Sequence, residues 1–211
     1  MATSKNGSGA TEEINPNFDW KNVARLLLTS RMMDHIEETE LYPKKVMYQF
    51  SARGHDMSQV LLGSLLNHEH DAAGAYYRSR PLLITLGLST EDALAGPLAM
   101  SGGFSDGRDI GVVCNFPNPG GCKVLPMSGD VGSQYTPIAG WAQSITYRQN
   151  VLKDSGYDGA IGVVLGGEGS VATNGFWSSL TMATTLKLPM LFYIEDNGYA
   201  ISVTSEKQTP G

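Results

Sequence analysis

The chain has 211 residues, 41% hydrophobic and 17% charged, which is enough apolar material to bury one core and points to a single domain. A formal net charge of −6, with 15 Lys and Arg residues in no extended run, leaves no electrostatic footprint for nucleic acid. Two cysteines, Cys114 and Cys122, form neither a disulfide framework nor a zinc-type pair, and no apolar stretch reaches the ~20 residues of a membrane helix. The expected setting is reducing and cytoplasmic, with no nucleic acid and no membrane.

In chain order, residues 1–19 read as a polar, disordered or extended N-terminal tail, without an apolar signal core or arginines. Val23, Leu26, Leu27, Met33 and Ile36 give one apolar face to a helix from Trp20 to Leu41, with Asp34, Glu37 and Glu38 largely on the other face and Pro43 after it. His35 falls on its surface. Ser58 to Leu66 reads as a second short helix, and His68-Glu69-His70 as its solvated end, because i, i+2 histidines point in different directions. Thr90 is placed to cap a third helix through Ser89-Thr90-Glu91-Asp92. Residues 101–129, rich in Gly, Pro, Asn and Asp, form a long loop of the kind that carries function. Helical character resumes from Val131 to Arg148. Ala160 to Leu165 reads as a buried strand, Phe176 to Leu188 as a helix ended by Pro189, and Met190 to Ile194 as another strand, with one more at Ala200 to Val203. The fold class is therefore α/β, with a mainly parallel sheet flanked by helices.

The chemistry concentrates at two strand ends. Gly166-Gly167-Glu168-Gly169-Ser170 follows the first strand, and Glu195-Asp196-Asn197-Gly198-Tyr199 follows the next. A right-handed crossover makes those strands parallel, so Glu168 and Asn197 are expected side by side at one sheet edge. A carboxylate and an amide oxygen there suit a hard cation such as Mg²⁺. Gly167 and Gly169 would let backbone approach a diphosphate, with the N–H groups of Gly169 and Ser170 turned toward it. Taken singly, these residues have plainer readings: Asn197 as a turn residue before Gly198, Tyr77-Arg78 as a snorkelling surface pair, Val131 as core, and Ser128, Ser133 and Gln134 as a polar helix cap.

The Gly-Glu-Gly motif with its distant Asn resembles the metal–diphosphate signature of thiamine-diphosphate enzymes. Leu186-Lys187-Leu188-Pro189, the strand, and Glu195 to Ser202 resemble the α subunit of the decarboxylating component of thiamine-diphosphate-dependent 2-oxo acid dehydrogenases, with branched-chain and pyruvate types both fitting. Tyr76-Tyr77-Arg78, Ser51 to Asp56, Arg31 with Asp34, and Ser128 to Gln134 stand in the family's order, so the resemblance covers about residues 21–205. It implies the thiamine-diphosphate-binding fold, specifically its diphosphate-binding domain, in residues 20–211. Metal binding would fall to Glu168, Asn197 and the Tyr199 carbonyl. Cofactor binding would fall to Tyr77, Arg78, Val131, Gly167, Gly169 and Ser170, with Val131 beneath the aminopyrimidine. K⁺ would lie near Ser128, Ser133 and Gln134.

It further implies oxidative decarboxylation of a 2-oxo acid with acyl transfer to lipoyl, in a heterotetramer of a multienzyme complex. The partners would be a β-type subunit or fused β domain, supplying the Glu that activates the pyrimidine, and a lipoyl-bearing acyltransferase. The family's chains continue further, so this one reads as truncated on its C-terminal side, with remaining catalytic groups on a partner or beyond Gly211. A sheet stopping at Met190 to Ile194, or one strand later, would leave an edge open to another chain. Glu168 in place of Asp, Arg80-Pro81 in place of a His-Gly pair, Asp130 and Asp196 depart from the family pattern. Arg80, Asp130 and the absence of the family's lid loop leave room for a non-catalytic or regulatory paralogue; a third reading, a transketolase-like half, is opposed by the Asn197-Gly198-Tyr199-Ala200-Ile201-Ser202 run.

Overall fold

The computed structural model describes residues 18–208 except 43, 47, 48, 109–114 and 119. Of the N-terminal tail only Phe18 and Asp19 are among them, and the Asp19 carboxylate caps the first helix, accepting from the Asn22 N–H at 3.1 Å. Cys114, Pro43 and the end of the chain past Gln208 lie outside the described residues.

Helix α1 (Trp20–Ile36) buries Val23, Leu26 and Met33, and a π turn (Glu37–Leu41) continues it. The expected single helix to Leu41 thus changes its winding one turn early. Asp34 and Glu37 are not on the wet face: they are 4% and 0% exposed. The reason is Arg80, which starts α3 (Arg80–Thr85) and reaches inward, its Nη2 2.7 Å from Glu37 and its Nη1 3.7 Å from Asp34. Gln49 donates to Glu37 at 3.2 Å and Ser51 to Asp34 at 2.5 Å. Carboxylates face a core when paired in this way.

Helix α2 (Asp56–Leu65) packs on α1 and α3. The His68 to His70 stretch lies beyond its end in a turn, where the His70 ring stacks on Tyr157 at 3.8 Å. Helix α4 (Thr90–Ala95) is capped by Ser89, whose Oγ accepts from the Asp92 N–H at 3.0 Å; Thr90 is the first helical residue and not the cap.

Four parallel strands form the main sheet: β1 (Ala72–Gly74), β2 (Lys123–Val124), β3 (Gly162–Gly167) and β4 (Met190–Glu195), in the order β2-β1-β3-β4. β1 and β2 were not expected; β2 falls inside the stretch read as a long loop. β3 begins two residues later than expected and runs through Gly167. Alternation along it sends Val163 and Leu165 to the α2–α3 face and Val164 to the face covered by α5 (Tyr135–Asn150) and α6 (Asn174–Leu186). Helix α5 starts four residues after the expected Val131, and α6 ends at Leu186 because Lys187 adopts a left-handed φ of 52° ahead of Pro189. The result is three layers, helices over sheet over helices.

Ile138 of α5 sits across β1 and β3. A Cβ at Gly74 would lie 2.5 Å from its Cγ1, and one at Gly162 would lie 3.1 Å from its Cγ2, so two glycines let the helix down onto the sheet. The strand expected at Ala200 to Val203 is instead a two-stranded antiparallel hairpin, β5 (Tyr199–Ala200) with β6 (Val203–Thr204), separate from the main sheet and followed by α7 (Ser205–Gln208). The chain is turned out of β4 by side-chain bonds, Asp196 Oδ1 accepting from Gly198 N at 2.7 Å and Asn197 Oδ1 from Tyr199 N at 3.0 Å, with Gly198 at φ 83°. Among the described residues no helix is long and apolar enough to cross a membrane.

Candidate functional site

The strand order reverses direction at β1, so the crevice beyond the carboxyl ends of β1 and β3 is where a doubly wound sheet takes its ligand. A cavity of about 570 Å³ opens there. Its walls are the segment after β1, the turn after β3, the end of β4 with the β5–β6 hairpin, and the turn before α5. Residues expected to hold a cofactor (Tyr77, Arg78, Val131, Gly167, Gly169, Ser170) all line it, as do the expected metal ligands Glu168, Asn197 and Tyr199.

Their individual states differ. Glu168 is 7% exposed, and its Oε1 is buried without a hydrogen-bond partner among the described residues. A buried carboxylate oxygen left unpaired is costly, so this position calls for a cation or donor. Gly167 faces Glu195 in the β3–β4 ladder, so Glu168 and Asn197 follow from paired positions on neighbouring strands. Asn197 is exposed, and its Oδ1 is engaged by the Tyr199 N–H. Among the described residues no three His, Cys, Asp or Glu side chains are grouped to hold a metal. A set of Glu168, Asn197 and a carbonyl contains only one such side chain.

Arg78 is held from outside the sheet: its Nη1 donates to the Ser51 carbonyl at 2.6 Å, and its guanidinium lies 5.9 Å from the Phe50 ring centre and 5.7 Å from that of Tyr77. Val131 keeps an apolar side chain 57% exposed within the cavity wall. Gly169 has a packing reason of its own, since a Cβ there would come within 2.4 Å of the Ala200 Cβ. Ser170 spends its hydroxyl on the Gly167 carbonyl (2.6 Å) and the Tyr135 hydroxyl (2.5 Å). Ser128 Oγ accepts from the Asp130 N–H, Ser133 Oγ donates to the Asp130 carbonyl at 2.8 Å, and Gln134 Nε2 donates to the Leu165 carbonyl at 2.9 Å. Ser128 and Gln134 line the cavity, whereas Ser133 is not among the lining residues. Arg80 is not among them either, being turned to α1.

Sequence reading missed a buried polar group at the cavity floor. Tyr76 donates its hydroxyl to Glu195 Oε2, and Gln59 of α2 donates to Glu195 Oε1 at 2.7 Å. Burial raises the Glu195 carboxyl above its usual range, opposed by these two hydrogen bonds and by the charges of His55 and Arg78. Burial, followed by the Glu195 charge, raises the Tyr76 phenol as well. One signal was available: a Glu ending an apolar strand, two residues before the Asn of the motif.

A mainly parallel α/β chain with a cavity of about 570 Å³ at its switch point is the class these features define. Residues 24–211 match the family described as Dehydrogenase E1 component. The chain belongs to that family, and its fold is the family's α/β thiamine-diphosphate-binding type. It is similar to the 2-oxoisovalerate dehydrogenase subunit alpha of Bacillus subtilis (26% identical over 198 residues, 87% of this chain and 53% of that one). It is likewise similar to pyruvate dehydrogenase E1 component subunit alpha from Staphylococcus aureus and from Staphylococcus epidermidis (each 26% identical over 208 residues, 97% of this chain and 50% of theirs). The chain spans about half the length of the curated relatives it matches.

Proposed function

We propose that this chain forms the thiamine-diphosphate-binding part of an α-type subunit of a 2-oxo acid dehydrogenase, working in the cytoplasm with a β-type partner and a lipoyl-bearing acyltransferase. The observation that carries this is the buried, unpartnered Oε1 of Glu168 in the wall of a cavity that Asn197, Arg78 and Val131 also line. A cavity of about 570 Å³ is within the ~300–1,000 Å³ usual for small-molecule and cofactor sites. Glu168, Asn197 and the Tyr199 carbonyl would hold Mg²⁺, and Tyr77 with Arg78 would take the diphosphate. Arg78 is pre-aimed by Ser51 and by the Phe50 and Tyr77 rings, so little side-chain freedom is lost on binding. Val131 supplies an apolar support for a heteroaromatic ring. Thiamine diphosphate, when bound, supplies the nucleophilic carbon and electron sink for loss of CO₂ from a 2-oxo acid. The bonds donated by Ser133 and Gln134 leave their oxygens free for a monovalent cation, but Ser133 is not among the cavity-lining residues, so the proposal rests on Mg²⁺ and the diphosphate.

The test is calorimetric titration of the full chain, alone and with a co-expressed β-type partner, with thiamine diphosphate in the presence and absence of Mg²⁺, repeated with Glu168→Ala. Binding that needs Mg²⁺ and is lost in the variant is the expected outcome. Equal affinity in the variant, with its fold intact, would sink the assignment.

A further inference from the structure

We infer that Gln59, Tyr76 and Glu195 form a positioning clamp that locks the segment after β1 to the end of β4, with Gln59 as its keystone; this rests on the proposed cofactor reading. The three residues come from three separate elements and are 0%, 6% and 3% exposed. Gln59 Nε2 donates both to Glu195 Oε1 at 2.7 Å and to the Arg78 carbonyl at 3.0 Å, while its Oε1 accepts from the Leu82 N–H at 3.3 Å. With two acceptors on one side and a donor on the other, the amide has only one consistent orientation. Tyr76 closes the second Glu195 oxygen.

Each end of the clamp carries a candidate ligand. Arg78 stands two residues after Tyr76, and its own backbone carbonyl is one of the two acceptors on Gln59. Asn197 stands two residues after Glu195, whose ladder partner Gly167 immediately precedes Glu168. Movement of the diphosphate-gripping segment against the metal-bearing strand ends would therefore break hydrogen bonds to a buried carboxylate. Such a group tolerates no loss of partners, which makes the arrangement stiff. An apolar trio of the same volume would fill the space without fixing the register of the two loops. Glu195 and Tyr76 also line the cavity itself, so the clamp is part of its wall.

The experiment measures Mg²⁺-dependent thiamine diphosphate affinity of the full chain by calorimetry in Gln59→Met, Tyr76→Phe, Glu195→Gln and the Tyr76→Phe/Glu195→Gln pair, alongside thermal midpoints. Met keeps the length of Gln without its amide, and Phe keeps the ring without its hydroxyl. Gln59→Met and Tyr76→Phe are each expected to weaken affinity about tenfold or more at a temperature where the fold is intact, the size usual for supports of metal ligands. The loss from Tyr76→Phe should shrink in the Glu195→Gln background, where no carboxylate needs the hydroxyl. If Gln59→Met fails to fold, Tyr76→Phe carries the test alone. Folded variants whose affinity stays within about twofold of the parent chain, while Glu168→Ala abolishes binding, overturn the clamp and leave the metal assignment standing. A parent chain that binds no thiamine diphosphate even with a co-expressed β-type partner overturns both.

Discussion

At Gly169 a single methyl group has no place to go, because the Ala200 side chain of the β5–β6 hairpin already occupies the space. Gly169→Ala should push the hairpin off the β3 turn and cost ~1–3 kcal/mol, as overpacking in a closed contact does. Urea unfolding of the variant measures this, and an unchanged midpoint would show that the hairpin moves freely. Read from sequence, the same glycine looked like an opening for a diphosphate; its packing partner was invisible because the turn at Asp196 to Gly198 decides where Ala200 lands. That Glu168 and Asn197 share one cavity edge was legible, since parallel strands deliver their following residues to the same edge; Tyr77 and Arg78, which follow the unforeseen β1, were placed there only by the resemblance of their motif. Gln59 was not, because a polar residue on an amphipathic helix says nothing of a partner 136 positions away.

Among the elements, legibility followed length. β3 and β4, six residues each, show as unbroken apolar runs and the long helices by their spacing, whereas β1 and β2, of three and two residues, are too short for either signal. Asp34 and Glu37 were assigned to the wet face of α1 by pattern; burial against Arg80 is a tertiary choice that overrides it. Helix α6 starts where Thr173 does two jobs: its Oγ accepts from the Phe176 N–H at 3.3 Å and donates to the Ser170 carbonyl at 2.7 Å. Thr173→Ala should cost ~1 kcal/mol of stability, with Thr173→Ser restoring most of it. Thermal unfolding of the pair tests whether the hydroxyl, and not the methyl, is what matters.

For the whole molecule, the buried acids set a pH response. Burial raises the Asp34 carboxyl above its ordinary value of 3.8, opposed by the Ser51 hydrogen bond and by Arg80 and Arg53, with Glu37 adding to the rise. The folded state therefore holds this proton more tightly than the unfolded chain does. Its contribution is fully present below pH 3.8 and is lost as pH climbs through the raised value. Unfolding free energies measured upward from that pH should fall less steeply in Asp34→Asn than in the parent chain; parallel curves would exclude Asp34 as a source. Ile138, lying over Gly74 and Gly162, has a reach beyond its own contacts. The helix it belongs to begins immediately after the Val131 turn, so the gap between that helix and the strands sets how wide the crevice gapes. Two absent methyls, at positions far apart in the chain and off the lining, act as the shims of the whole assembly. Enlarging either one would be a way to alter the bore of the pocket while leaving every wall residue untouched.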